Sequence, residues 1–172
     1  MSSSVTPLKV FKRAIAAYES GNLVKAAELC RSTLARAPDH FDALHLLAVA
    51  TSRRGEPGKA LEIFEKAVAL RPRNADVLTH RASALTELKR YEEALDDYDK
   101  ALELAPAHAG ARNARGNALM HLQRFDEALV DYGKALVLDP QNAEIANNLG
   151  RALAKLERQQ EAVDCFDDAL AL

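Results

Sequence analysis

Apolar and polar positions alternate along this chain in two rhythms, one nested inside the other. The short rhythm is helical. Phe41–Arg54 and Pro57–Leu70 each carry apolar residues three and four apart with charged residues between them, the pattern of a helix with one face toward a core. The same pattern runs through Ala75–Leu88 and Tyr91–Leu104, and through Ala109–Leu122 and Phe125–Leu138. The long rhythm has a period of 34 residues. Ala26, Ala60, Ala94, Ala128 and Ala162 keep it, and so do Cys30, Phe64, Tyr98, Tyr132 and Phe166. A further column runs through Ala67, Ala101, Ala135 and Ala169, with Thr33 in register ahead of it. Self-similarity at one fixed period marks a repeat protein, and 34 residues is the length of a helix–turn–helix unit.

The punctuation agrees with that unit. Pro38, Pro72, Pro106 and Pro140 also stand 34 apart; proline is excluded from helix interiors, so these set the boundaries between copies. Pro7 and Pro57 suit the first turn of a helix, and Gly55 suits the left-handed stop of the helix before Pro57. Asn74 and Asn142 are placed to cap the helices that follow them. The expected organisation is one domain over 1–172, all-α, with copies at about 7–40, 41–74, 75–108, 109–142 and 143–172, after a short polar lead-in from Met1 to Thr6.

Packing explains why small residues recur. Gly116, Gly150, Ala48 and Ala82 leave room for the partner helix, whose Ala60, Ala94, Ala128 or Ala162 is expected opposite, and the aromatic column fills the remaining volume. Leu61, Leu95 and Leu129, with Val68, Leu102 and Leu136, are expected to face the next copy, because no single repeat buries its own faces. The corresponding Val163 and Leu170, together with Leu172, have no following copy in this sequence. They are expected to be covered by a second molecule or an added segment, through self-association or because the chain is part of a longer protein.

The residues Gly116, Ala128, Tyr132 and Pro140 carry a resemblance. In their order and spacing the chain resembles the tetratricopeptide repeat family in a bacterial-type array, and the match recurs in all five copies. The departures are local: no copy has the family's Trp, and the first has Cys30 where an aromatic is usual. The resemblance implies a right-handed superhelical solenoid of five repeats. It further implies that the first helix of each repeat lines a concave groove that holds a protein or extended peptide.

Carried onto this chain, the groove positions include Leu8, Phe11, Lys12, Ile15 and Tyr18, then Asp42, His45, Leu46, Val49 and Arg53. The third copy contributes Asp76, Thr79, His80, Ser83 and Glu87. The fourth contributes Asn113, Asn117, Met120 and His121, and the fifth Glu144, Asn147, Asn148, Arg151 and Lys155. The implied groove is apolar at its N-terminal end and amide-rich at its C-terminal end, where rows of Asn, each both donor and acceptor, can hold a peptide by its backbone. Peptide-binding residues are therefore expected at Phe11, Ile15, His45, Val49, Thr79, His80, Asn113, Asn117, Asn147, Asn148 and Arg151. Some relatives clamp a chaperone's C-terminal carboxylate with a Lys, two Asn, a Lys and an Arg. Asn117 and Asn148 match the two Asn; Asn113 replaces the first Lys, and the last two positions lie beyond Leu172, so the match is partial. The resemblance also allows an alternative, an accessory region ahead of the catalytic part of a glycosyltransferase similar to O-linked N-acetylglucosamine transferase.

Composition narrows the function classes. Net charge is −2 with 28% charged residues, without the basic stripe that nucleic-acid binding needs. There is no apolar run of membrane-spanning length, and the start MSSSVTPLKV does not read as a signal peptide. Cys30 and Cys165, four repeats apart, are too distant to pair, so a reducing, cytoplasmic setting is expected. No phosphate loop, paired-cysteine motif or HExxH is present. His40, His45, His80, His108 and His121 do not converge in sequence, so neither metal nor cofactor is expected. The acidic run Glu92, Glu93, Asp96, Asp97 and Asp99 reads as a solvated helix face. Arg13, Arg81 and Arg115 stand where Leu47 and Leu149 stand in other copies. Arg81 and Arg115 occur in the copies with Tyr98 and Tyr132, which suggests Arg–Tyr contact with Asp97 or Asp131 as counter-charge. The chain is read as a binding module and not an enzyme.

Overall fold

The helix-period segments are helices. In the computed structural model, which describes residues 6–172, ten helices and no strands occur among the described residues. Met1–Val5, most of the expected polar lead-in, lie outside the described residues. The chain forms two compact units, Met1–Leu88 and Lys89–Leu172.

The first unit contains α1 (Pro7–Glu19), α2 (Leu23–Leu34), α3 (Phe41–Ser52), α4 (Pro57–Leu70) and α5 (Ala75–Glu87). Each helix packs on the next, and α3 also touches α1 and α5. One apolar cluster joins Phe11, Ala14, Ala27 and Cys30 to Ala43 and Leu47. A second joins Phe41, Leu44, Ala48, Ala60 and Phe64 to Val77 and Ala84. Cys30 is fully buried as expected, and burial pushes its thiol pKa up to about 12, the behaviour of a small hydrophobe rather than a reactive thiol.

The second unit contains α6 (Tyr91–Leu104), α7 (Ala109–His121), α8 (Phe125–Leu138), α9 (Ala143–Lys155) and α10 (Gln159–Ala171). Here α6 packs on α7, α7 on α8, α8 on α9 and α9 on α10, with a further α7–α9 contact. The small-residue column has a more direct role than the expected helix–helix clearance. A Cβ built on Gly116 would lie 2.6 Å from the ring of Tyr132, and one on Gly150 equally close to Phe166. In both hairpins the aromatic of the second helix lies against the bare backbone of the first.

The turn inside each copy follows one rule. Gly21 and Gly55 have φ near +79°, and Lys89, Gln123 and Glu157, at 34-residue intervals beyond them, have φ near +60°. The amide of the residue after the turn reaches back to close the helix: Asn22 to Ala17 at 2.8 Å, Glu56 to Thr51 at 3.3 Å, Arg124 to Leu119 at 2.9 Å and Arg158 to Leu153 at 3.0 Å. This is the left-handed C-terminal stop expected at Gly55, and three side-chain-bearing residues adopt it as well.

The starts of four of the five first helices follow a second rule; α1 begins without a side-chain cap. Asn74 and Asn142 cap as expected, accepting from Val77 N at 2.9 Å and Ile145 N at 3.3 Å. His40 and His108 stand in the same column and do the same through Nδ1, accepting from Ala43 N and Ala111 N at 3.2 Å each. All four repeated prolines lie between helices.

Candidate functional site

In the first unit the candidate surface is built from the exposed sides of α1, α3 and α5. Rungs join one first-helix to the next at sequence separations of 35 residues, one more than the repeat. Arg53 donates to the Tyr18 hydroxyl at 3.0 Å, and its guanidinium lies 5.3 Å from the ring centroid. His45 Nε2 and His80 Nδ1 share a proton at 2.8 Å, and Ser52 donates to Glu87 at 3.4 Å.

Between these rungs lies a hollow of about 230 Å³ lined by Phe11, Ile15, Tyr18, Asp42, His45, Leu46, Val49 and His80. A second, of about 300 Å³, is lined by Tyr18, Val49, Ser52, Arg53, Phe64, His80, Ser83 and Glu87. Tyr18, Val49 and His80 line both, so the two hollows adjoin. The surface is mainly apolar with a polar border. Burial, followed by the charge of His80, brings the His45 pKa down to about 4 against the upward pull of Asp76 and Asp42. At neutral pH this imidazole is therefore uncharged.

Of the residues expected here, Phe11, Ile15, His45, Val49 and His80 line the hollows. Thr79 does not. It is buried, and its hydroxyl donates to Ala75 O of its own helix at 2.8 Å. Its position in the repeat carries bulkier residues in other copies; the short Thr side chain turns back onto its own helix, as Thr commonly does.

In the second unit the asparagines form a chain of bonds. Asn148 Nδ2 donates to Asn113 Oδ1 at 3.0 Å, Asn113 Nδ2 donates to Glu144 at 3.1 Å, and Arg151 donates to Asn148 Oδ1 at 3.3 Å. The Asn113–Asn148 rung occupies the same repeat positions as His45–His80. Tyr132 donates its hydroxyl to Asn117 Oδ1 at 2.7 Å. The structure thus brings together Asn113, Asn148 and Arg151, with Asn117 one turn along α7. It also corrects the picture of a free amide row. Asn148 is only 5% exposed, and both of its polar atoms are engaged within the protein. Asn117 has its acceptor occupied by Tyr132. Of these four asparagines, only Asn147 is exposed.

At Arg115 the expected counter-charge, Asp131, is the partner, and Tyr132 is not. Arg115 grips Asp131 with both prongs, Nε to Oδ2 at 2.7 Å and NH2 to Oδ1 at 2.8 Å, and its third nitrogen meets Asp99. Asp131 is 1% exposed, and its hydrogen bonds are the main reason the Arg115 pKa is raised. The Tyr132 hydroxyl goes to Asn117 instead. Asp97, expected on a solvated face, is buried.

Among the described residues, no group of three or more His, Cys, Asp or Glu is arranged to hold a metal ion. No helix there is long and apolar enough to cross a membrane.

Comparison with known families covers most of the chain. Models described as tetratricopeptide repeat match residues 11–75, 75–108 and 143–172, and one described as TPR repeat matches 116–157. No curated protein matches the sequence. Among solved structures, PilF of Pseudomonas aeruginosa is similar with a TM-score of 0.86 at 26% identity, over 96% of this chain and 75% of that one. MamA of Desulfovibrio magneticus is similar with a TM-score of 0.86 at 20% identity, over 96% and 94%. Another MamA structure gives 0.81 at 22%, over 96% and 90%.

Proposed function

Since the chain belongs to the tetratricopeptide repeat family, an all-α solenoid that serves as a protein-interaction scaffold, we propose that it holds an extended peptide of a partner protein against the exposed sides of its first helices. The observation that carries this reading is the pair of adjoining hollows in the first unit. They expose Ile15, Val49 and the rim of Phe11 beside hydrogen-bonding groups on Tyr18, Arg53 and His80. Apolar hollows bordered by a few polar groups suit an extended peptide, whose side chains fill the hollows while its backbone uses the border. Taken by itself, the second unit offers Asn147, Arg151 and the unused Nδ2 of Asn117 as polar groups on its first helices. The proposed role is non-catalytic and soluble, without cofactor or metal. A second proposed contact is self-association through Val163, Leu170 and Leu172, which are 50%, 86% and 51% exposed; light scattering across a concentration series tests it.

The test of the peptide reading is selection from a random-peptide display library against the whole chain, followed by titration of the winning peptides. Val49→Glu and Ile15→Glu are expected to abolish binding, and Lys66→Glu, on a second helix, to leave it intact. Peptides that bind all three variants equally would move the site off the first helices.

A further inference from the structure

The repeats provide an internal register against which one helix stands out. At the position of Val130 the other four copies carry Glu28, Glu62, Asp96 and Asp164. At the position of Gly133 they carry Arg31, Glu65, Asp99 and Asp167. At the position of Val137 they carry Ala35, Ala69, Glu103 and Ala171. Residues 130, 133 and 137 are spaced three and four apart, so they form one stripe along α8. That stripe faces water: Val130 is 52% and Val137 82% exposed, and Leu138 beside them is 42% exposed. No helix of this unit lies over the stripe's centre, since a Cβ built on Gly133 would meet nothing within 4 Å.

Next to the stripe lies a hollow of about 420 Å³, lined by Pro106, Ala107, Arg112, Gly133, Lys134, Val137 and Leu138. Its charged lining groups are Arg112 and Lys134; no carboxylate lines it, although the chain carries 25 acidic residues. Arg112 is held in place, donating twice to Pro106 O and lying 3.7 Å from Asp131. Lys134 has no hydrogen bond or ion pair among the described residues. The hollow therefore has an apolar floor and a cationic border with one ammonium left over.

We propose that this face of α8 is a second docking surface, separate from the first-helix hollows, and that its occupant is an acidic protein segment. That segment seats one bulky apolar side chain against Pro106, Val137 and Leu138 and brings a carboxylate to Lys134. Charge complementarity selects the acidic occupant: a basic segment would meet Lys134 and Arg112 with like charge. Loss of the acidic residue found in every other copy at the Val130 position removes the repulsion that an acidic partner would meet elsewhere along the second helices.

The test uses the whole chain with isotope-labelled valine methyls, titrated with synthetic peptides of about a dozen residues. One peptide carries a single Phe flanked by Glu and Asp; a second replaces the Phe by Ser; a third replaces the acids by Lys. The expected result is a saturable shift of the Val130 and Val137 methyl signals with the first peptide alone. Lys134→Glu and, independently, Val137→Glu should weaken it by about tenfold or more, a difference of about 1.4 kcal/mol. Both substituted side chains lie in solvent, and circular dichroism checks the fold. The proposal is overturned if the first peptide gives no saturable shift, if the Lys-flanked peptide does as well, or if either variant binds like the parent. It is also overturned if dilution of the protein alone moves the same signals, because the occupant is then a second copy.

Discussion

Replacing Arg115 and Asp131 by the residues of the second repeat isolates the energetics of the buried ion pair. The equivalent positions there are Leu47 and Ile63, which belong to one apolar cluster of the first unit. Arg115→Leu alone leaves Asp131, at 1% exposure, without its two short hydrogen bonds. Breaking a buried pair from one side costs about 3–5 kcal/mol; Arg112, 3.7 Å from the same carboxylate, offsets part of that, so we expect about 3 kcal/mol. Asp131→Ile alone should cost less, about 1–2 kcal/mol, because Arg115 is a quarter exposed and keeps Asp99. The double variant removes both charges and restores the packing used in the second repeat, and buried pairs replaced by matched hydrophobes are often neutral or better. Its stability should fall within about 1 kcal/mol of the parent, giving a coupling of about 3 kcal/mol between the sites. The chain lacks Trp, so urea melts followed by circular dichroism are the suitable assay. A double variant as unstable as the sum of the singles would refute the reasoning and show that the pair is not the unit that matters.

Other outcomes follow from single contacts. Tyr132→Phe removes only the hydroxyl bonded to Asn117 and should cost about 1 kcal/mol, whereas Tyr132→Ala empties a fully buried site and should cost about 3–5 kcal/mol; equal losses in denaturant melts would contradict the contacts at Gly116. His45 has a folded pKa of about 4 against about 6.5 when unfolded. The unfolded chain therefore takes up a proton that the folded one refuses, and stability should fall as pH drops from about 6.5 toward about 4. His45→Asn should flatten that part of the melting-temperature profile, and parallel profiles for parent and variant would exclude His45 as the cause. Gln123→Gly should stabilise by up to about 1 kcal/mol, since a left-handed backbone strains side-chain-bearing residues more than glycine; a loss measured by thermal melting would mean that the Gln side chain contributes something the turn geometry does not reveal.

Most of the fold was legible because it rests on features that repeat. Proline boundaries, the alanine columns and the aromatic column each impose a local requirement, and the helices Pro57–Leu70, Tyr91–Leu104 and Phe125–Leu138 begin and end where those requirements place them. Less legible is chemistry that one residue type shares with another. His40 and His108 cap helices as Asn74 and Asn142 do, because a neutral imidazole nitrogen accepts a backbone N–H much as an amide oxygen does. Their shared column was the available signal. Lys89, Gln123 and Glu157 adopt the backbone of Gly21 and Gly55 because the surrounding turn imposes it; propensity alone points elsewhere, and only register with the glycines gives them away. Asp97 reads as part of a solvated face because Glu92, Glu93, Asp96 and Asp99 surround it. Its column in other copies holds Leu29, Ile63, Asp131 and Cys165, and the apolar members mark it as an interior position.

The candidate surfaces were harder to read because side chains at one repeat position are put to different uses. Positions 45 and 80 and positions 113 and 148 form the same rung. In one unit it is an imidazole pair bordering an apolar hollow; in the other it is an amide pair engaged within the protein. The resemblance implies the groove side for all four residues, but whether a polar atom is free depends on what the next copy presents to it. Tyr132 occupies the acceptor of Asn117 in the same way. Agreement among copies therefore reports packing, and disagreement locates surfaces particular to this chain. By that criterion the Val130–Gly133–Val137 stripe stands out, because Val130 replaces an acidic residue of all four other copies and faces solvent.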